Sequence, residues 1–205
     1  MSDSTTVFVV DDEASVRSAV ERLVTSIGLR CETFGSAEDY LRNARQDVPG
    51  CLVLDMRMPG SSGLDLQQKL ATTGSHRPII FLTGHGDIPL SVKAMRAGAV
   101  EFLTKPFRPD DLLQAIHQAI DHDGVERARH SEQMRVMQRY QTLTPRERQV
   151  MASVVAGLPN KETAQKLDIS ARTVKAHRAE VMRKMQADSV ADLVRMTARL
   201  TVAES

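Results

Sequence analysis

The sequence predicts an α/β domain on a doubly wound, five-stranded parallel sheet, followed by a small all-α domain of four helices. Three observations lead there. Apolar runs of strand length recur five times in the first 121 residues, alternate with helical patterns, and in four cases end in polar residues. After residue 121 such runs vanish and only helical spacing remains. The charge divides at the same place: residues 1–121 hold 12 Lys/Arg against 16 Asp/Glu, whereas residues 140–205 hold 11 against 7.

In order, residues 5–10 form the first strand, and Ala14 opens a helix with Ala19, Val20, Leu23, Val24 and Ile27 on one side. Gly28 closes it as a C-cap residue. Cys31–Phe34 is a short strand, and Ser36 caps the next helix with Asp39 at its third position. Pro49-Gly50 turns the chain into the run Cys51-Leu52-Val53-Leu54, which leads straight into Asp55. A continuous apolar run reads as a strand buried on both faces. Leu64–Ala71 is a third helix stopped by Gly74, and Ile79–Leu82 is the fourth strand. Pro89 lies in the first turn of a helix over Leu90–Ala97 that Gly98 closes. Val100–Thr104 is the fifth strand, and a fifth helix starts at Pro109, where Asp110 and Asp111 favour its positive end. The flavodoxin-like strand order 2-1-3-4-5 is expected, with right-handed crossovers and the first and third strands adjacent.

The domain division is residues 1–121, a helical linker over 122–141, and a second domain over 142–205. In the linker Arg127, Arg129, Arg135 and Arg139 mix with Glu126, Glu132 and Gln133, and Val125, Met134 and Met137 are the few apolar points. It reads as a solvated helical arm that continues the fifth helix after a break at Gly124, the alternative being a coiled-coil dimer, for which fewer than three clear heptads are present. Thr144, Pro145 and Glu147 form a helix-start signature, with Val150, Met151, Val154 and Val155 as the buried stripe and Gly157 as the stop. Asn160 is expected to cap a short helix over Lys161–Leu167. Asp168-Ile169-Ser170 is a tight connection, and Ser170 caps a helix from Ala171 to Met185. A last helix holds Val190, Leu193, Val194 and Met196. Two helices joined by so tight a turn make a helix-turn-helix.

Composition excludes several classes of function. Hydrophobic residues at 41% and charged residues at 26% are those of an ordinary globular chain. Aromatics at 3% with no Trp exclude a stacking surface for single-stranded nucleic acid. No membrane span or export signal is present, so a cytoplasmic protein is expected. Cys31 and Cys51 are too few for a zinc site or a disulfide framework, and are read as reduced, mostly buried thiols.

Chemistry concentrates at strand ends. The first strand runs into Asp11-Asp12-Glu13, the third into Asp55, the fourth into Thr83-Gly84 and the fifth into Lys105-Pro106. A parallel sheet delivers all of these to one edge. Clustered carboxylates suit Mg²⁺, and a lysine suits phosphoryl oxygens. Asp55 can then act as the nucleophile that forms an aspartyl-phosphate.

With Val-Val-Asp-Asp-Glu, Leu-Asp-Met-Arg-Met-Pro-Gly, Leu-Thr-Gly-His-Gly-Asp and Leu-Thr-Lys-Pro-Phe all in order, the first domain resembles the receiver domain of two-component response regulators, whose sheet is flavodoxin/CheY-like. The segment Asn160–His177 resembles the LuxR/FixJ-type helix-turn-helix, so the whole chain is similar to a FixJ-like response regulator. One departure is Thr163, where that family usually has an aliphatic residue. The resemblance implies Asp55 as phosphoacceptor, with Asp12, Asp55 and the Arg57 carbonyl as Mg²⁺ ligands and Asp11 acting partly through water. It further implies Thr83 and Lys105 as contacts to the phosphoryl group and Phe102 as an aromatic switch. His85 is read as a loop residue rather than a phosphohistidine.

On the second helix of the pair, Val174, Val181 and Met185 face inward at helical spacing. Arg172, Lys175, Ala176, Ala179 and Arg183 occupy the opposite side, as a recognition helix requires. Arg172 and Lys175 suit guanine edges, and the alanines allow close approach. Lys161, Thr173, His177 and Arg178 are assigned to phosphates, which position without reading sequence.

These assignments imply a transcription regulator, by family lean an activator. Its partners would be a histidine kinase, double-stranded promoter DNA, RNA polymerase and, once phosphorylated, a second copy of itself. The rival reading is a Mg²⁺-dependent phosphatase or phosphotransferase that uses the same aspartate.

Overall fold

The computed structural model describes residues 5–45, 47–84 and 88–201. His85 therefore lies outside the described residues. The chain forms two compact units, Met1–Arg127 and Ala128–Ser205.

In the first unit β1 (Thr6–Val10), β2 (Arg30–Phe34), β3 (Gly50–Asp55), β4 (Ile79–Thr83) and β5 (Glu101–Thr104) form one parallel sheet in the order β2-β1-β3-β4-β5. The expected α/β fold class and strand order are what the structure has. Period-two alternation sends each strand's side chains to opposite faces. Phe8, Val10, Leu52, Leu54 and Phe81 enter one core, while Val7, Val9, Cys51, Val53, Ile80 and Leu82 enter the other. Helices α1 (Ala14–Ser26) and α5 (Pro109–Gln141) supply Val20, Val24, Leu112 and Ile116 to the second core. Helices α2 (Ala37–Asn43), α3 (Gly63–Thr72) and α4 (Ile88–Arg96) cover the first. Burying a Val or Leu side chain contributes about 1.5–3 kcal/mol, so this double layer carries the unit's stability.

Several local expectations need adjusting. Ala19 and Ile27 are exposed, and the inward row of α1 is Val16, Val20, Leu23 and Val24. Ser36 caps α2 by accepting from Asp39 N at 3.1 Å, but Asp39 turns its carboxylate to Asn43 instead of completing the box. A full capping box does occur at α3, where Ser62 and Asp65 bond reciprocally.

The break expected at Gly124 is absent, and α5 is one helix of 33 residues. A mid-helix glycine costs about 1 kcal/mol, and its neighbours offset this. Asp123, 4% exposed, accepts from Gly50 N at 2.9 Å and from Arg127 Nε at 2.7 Å. Arg127 also donates to the Asp47 and Val48 carbonyls. Gly50 must be glycine there, because a Cβ would fall 1.8 Å from the Thr6 carbonyl oxygen. Arg77, 6% exposed, closes the same amino edge of the sheet. It bonds to Tyr40 Oη at 2.6 Å and to the Arg45 and Val48 carbonyls, with its guanidinium 4.0 Å over the Phe8 ring. Cys31 and Cys51 are free thiols, and burial pushes both up to about 12.

The second unit packs α6 (Pro145–Val155), α7 (Asn160–Leu167), α8 (Ala171–Met185) and α9 (Val190–Thr201) around one core. The end of α5 belongs to it. Val136 is fully buried, and Met137 and Tyr140 pack against that core, so this stretch is not the solvated arm expected from its charges. Thr144 and Glu147 form the expected capping box, and Ser170 caps α8. Asn160, by contrast, is the first residue of α7 and Pro159 its cap. The Asn160 side chain instead accepts a hydrogen bond from Arg178.

Thr163 is 1% exposed in this core and its Oγ1 has no hydrogen-bond partner. An unpaired buried hydroxyl costs about 1–3 kcal/mol, and valine has nearly the same shape without it. Thr163→Val is therefore expected to stabilise the second unit by about 1 kcal/mol, read as a higher midpoint for its thermal transition.

Candidate functional site

The carboxyl edge of the sheet collects the residues that the strand ends promised. Val10 of β1 lies beside Leu54 of β3, which sets Asp11 and Asp12 next to Asp55. One ligand atom from each of these carboxylates lies within 4.8 Å of the others. Such a group repels itself. Lys105, delivered by β5, answers with Nζ at 2.6 Å from Asp11 Oδ2 and 3.1 Å from Asp55 Oδ1, and 3.9 Å from Glu13. Its backbone N donates to the Thr83 carbonyl at 2.6 Å, which fixes where the side chain starts.

Burial differs among the three acids. Asp11 is fully buried and Asp55 is 5% exposed, while Asp12 faces solvent. Burial pushes the Asp55 carboxyl above its usual range; Lys105 opposes this, and Asp11 and Asp12 add to it. Burial works against the Lys105 charge, yet the bond and charge of Asp11, then those of Asp55, outweigh it and raise its pKa. Asp12, Glu13, Asp55, Arg57, Gly84 and Lys105 line an open cleft of about 200 Å³ over these groups. Its donor set of hard oxygens suits a small divalent cation.

Of the other expected residues, Thr83 ends β4 and is 1% exposed, with its neighbour Gly84 at the cleft. Phe102 does not line the cleft. It sits beside Phe81 in the sheet and packs, half-buried, against the first core.

Gly63 escaped sequence reasoning. A Cβ there would meet the Asp55 carbonyl oxygen at 2.4 Å and the Phe81 ring at 2.9 Å. The bare backbone lets α3 begin directly against Asp55, and Gly63 N donates to the Met56 carbonyl at 3.1 Å to close the loop. No local pattern marks it, because both collisions come from other strands.

The second unit presents a distinct surface. Val174, Val181 and Met185 of α8 are fully buried, and Arg172, Thr173, Lys175, Ala176, Ala179 and Arg183 are exposed, as helical spacing required. His177 and Arg178 flank them half-buried, and Lys161 is exposed on α7. Some of these polar groups already have partners. Arg183 pairs with Glu180 at 2.7 Å, Arg178 donates to Asn160 at 2.8 Å, and Thr173 bonds to Ser170. Among the described residues Lys161, Arg172 and Lys175 form no ion pair.

A family description of the response regulator receiver domain matches residues 7–117, and one of bacterial regulatory proteins of the luxR family matches residues 141–197. The chain is a two-component response regulator with a LuxR-type DNA-binding domain. It is 49% identical to the response regulator protein TmoT of Ectopseudomonas mendocina, over 95% of this chain and 88% of that one. It is 46% identical to the transcriptional regulatory protein FixJ of Rhizobium meliloti, over 93% and 94% of the two chains. The solved structure of the response regulator StyR matches with a TM-score of 0.85 at 45% identity, over 96% of this chain and 99% of that one. These names are those of regulators, not of phosphatases. In this response regulator no described helix is long and apolar enough to cross a membrane.

Asp55 is a buried carboxylate whose surroundings disfavour its charge, so its neutral isostere relieves the cluster while Lys105 keeps Asp11. Asp55→Asn is expected to raise the unfolding midpoint of the receiver by a few degrees in chelator, measured by calorimetry. Gly63→Ala is expected to destabilise the receiver by about 1–3 kcal/mol through overpacking, and so to lower that midpoint.

Proposed function

We propose that Asp55 accepts a phosphoryl group from a partner histidine kinase, and that this controls promoter binding through α8. The observation that carries the reading is the convergence of Asp11, Asp12 and Asp55 within 4.8 Å, with Lys105 in contact with two of them. An Asp55 carboxylate oxygen attacks phosphorus, forming the P–O bond as the P–N bond to the kinase histidine breaks. The departing imidazole takes a proton from solvent.

Asp11, Asp12, Asp55 and the Arg57 carbonyl would hold Mg²⁺, which screens the incoming dianion when bound. Lys105, already 3.1 Å from Asp55 Oδ1, pairs with a phosphoryl oxygen. Thr83, at the end of the adjacent strand, supplies a hydroxyl to another. Phe102 then shifts deeper beside Phe81, which reshapes the face around α4, β5 and α5.

Two copies pair through that face and place two α8 helices on half-sites about 34–36 Å apart. Dimerisation multiplies affinity through effective concentration. Arg172 and Lys175 read base edges, Ala176 and Ala179 permit close approach with Arg183 on the same face, and Lys161, Thr173, His177 and Arg178 hold phosphates. The outcome is activation of transcription by RNA polymerase in the cytoplasm. The net positive charge of residues 140–205 and the exposure of Lys161, Arg172 and Lys175 support this.

Incubation with acetyl phosphate or a purified kinase is expected to label the wild type and dimerise it, and to do neither to Asp55→Asn. Labelling and dimerisation of that variant at wild-type level would refute the assignment. On DNA, Lys175→Ala is expected to cost about 1–3 kcal/mol at its own promoter while relaxing discrimination at one base pair. Lys161→Ala weakens all sequences alike and lowers the salt dependence by about one unit of slope.

A further inference from the structure

Arg17, one turn into α1, lies outside the cleft yet holds its backbone. Its Nη1 donates to the Asp11 carbonyl at 2.6 Å and to the Asp12 carbonyl at 3.0 Å. The turn between β2 and α2 passes on the other side, where a Cβ on Gly35 would lie 3.8 Å from the same nitrogen. The half-buried guanidinium thus lies against two loops of the carboxyl edge.

The two aspartates depend on it unequally. Asp11 has three other anchors: its N donates to the Phe34 carbonyl, and its carboxylate accepts from Glu13 N and Lys105 Nζ. Asp12 has none of these. Its carboxylate is exposed, and the one hydrogen bond that Asp12 makes among the described residues is that of its carbonyl with Arg17. Where Asp12 points is set by its backbone, and Arg17 sets the backbone.

We propose that Arg17 is a positioning residue for cation capture, pinning the Asp11–Asp12 peptide so that the free Asp12 carboxylate stays over the cleft beside Asp55. The inference rests on the reading of this cleft as a Mg²⁺-dependent phosphoryl acceptor.

Charge and position predict opposite signs, which makes the idea testable. If Arg17 acted only as a nearby cation, its removal would lessen repulsion and tighten Mg²⁺ binding. If it acts as a clamp, removal lets Asp12 wander and weakens binding, as loss of groups that orient ligands commonly does by about 10–100-fold.

The experiment is a calorimetric titration of the full-length protein with Mg²⁺, with circular dichroism confirming the fold of each variant. Arg17→Met is expected to bind at least about tenfold more weakly than wild type. Arg17→Lys, which keeps the charge but is one bond shorter than the reach from Cα to the Nη1 that meets both carbonyls, falls between them. In an Asp12→Asn background Arg17→Met should cost nothing further. Equal or tighter binding by Arg17→Met, or an undiminished loss in the Asp12→Asn background, overturns the clamp. Should Arg17→Met not fold, Arg17→Lys decides: binding equal to or tighter than wild type overturns the clamp. A wild type that takes up no Mg²⁺ overturns the cleft reading itself and the clamp with it. A wild type that binds while Arg17→Met binds equally overturns the clamp alone.

Discussion

Three carboxylates packed within 4.8 Å repel one another, and Lys105 bridges two of them, Asp11 and Asp55. Most of the first unit's architecture can be read as a way to keep that arrangement. The parallel sheet brings four strand ends to one edge, and the side-by-side placement of β1 and β3 makes Asp11 and Asp12 neighbours of Asp55. Two apolar layers bury the strands so that the edge cannot fray. Gly63 removes a methyl group to let α3 start against Asp55. The result is a site with excess negative charge and one lysine among its carboxylates.

The two units solve different electrostatic problems. The first holds net negative charge and concentrates it in a cleft. The second spreads positive charge over one helix face and keeps it outward by burying Val174, Val181 and Met185 on the other. In a chain whose overall charge is only +1, this separation gives the first unit surroundings suited to a cation and the second unit surroundings suited to a polyanion.

Much of this was legible in sequence because the signals are local. A continuous apolar run ending in a carboxylate marks a buried strand and its edge, and the spacing along α8 gives its buried and open faces directly. What escaped depends on main-chain atoms or on partners mostly far along the chain. Arg77 carries no mark of burial in the sequence, yet it lies buried over Phe8 and donates to carbonyls at the amino edge. Arg17 bonds to main-chain oxygens, which leave no trace in a sequence. Gly124 looks like a break until Asp123 is seen holding Gly50 and Arg127. Val136 is hidden among charges, so its burial was not evident from periodicity. Thr163 fits its helix and still leaves a polar atom without a partner.

The bonds around Asp123 bear on how the protein can be divided. A fragment ending at residue 121 would lack both Asp123 and Arg127, exposing the Gly50 amide and loosening the floor of the central strand. One beginning at 142 would lack Val136, Met137 and Tyr140, and with them part of the hydrophobic packing under α6 to α9. The boundary residues of α5 are shared property: each half needs its own stretch of that helix to be whole when severed from the other.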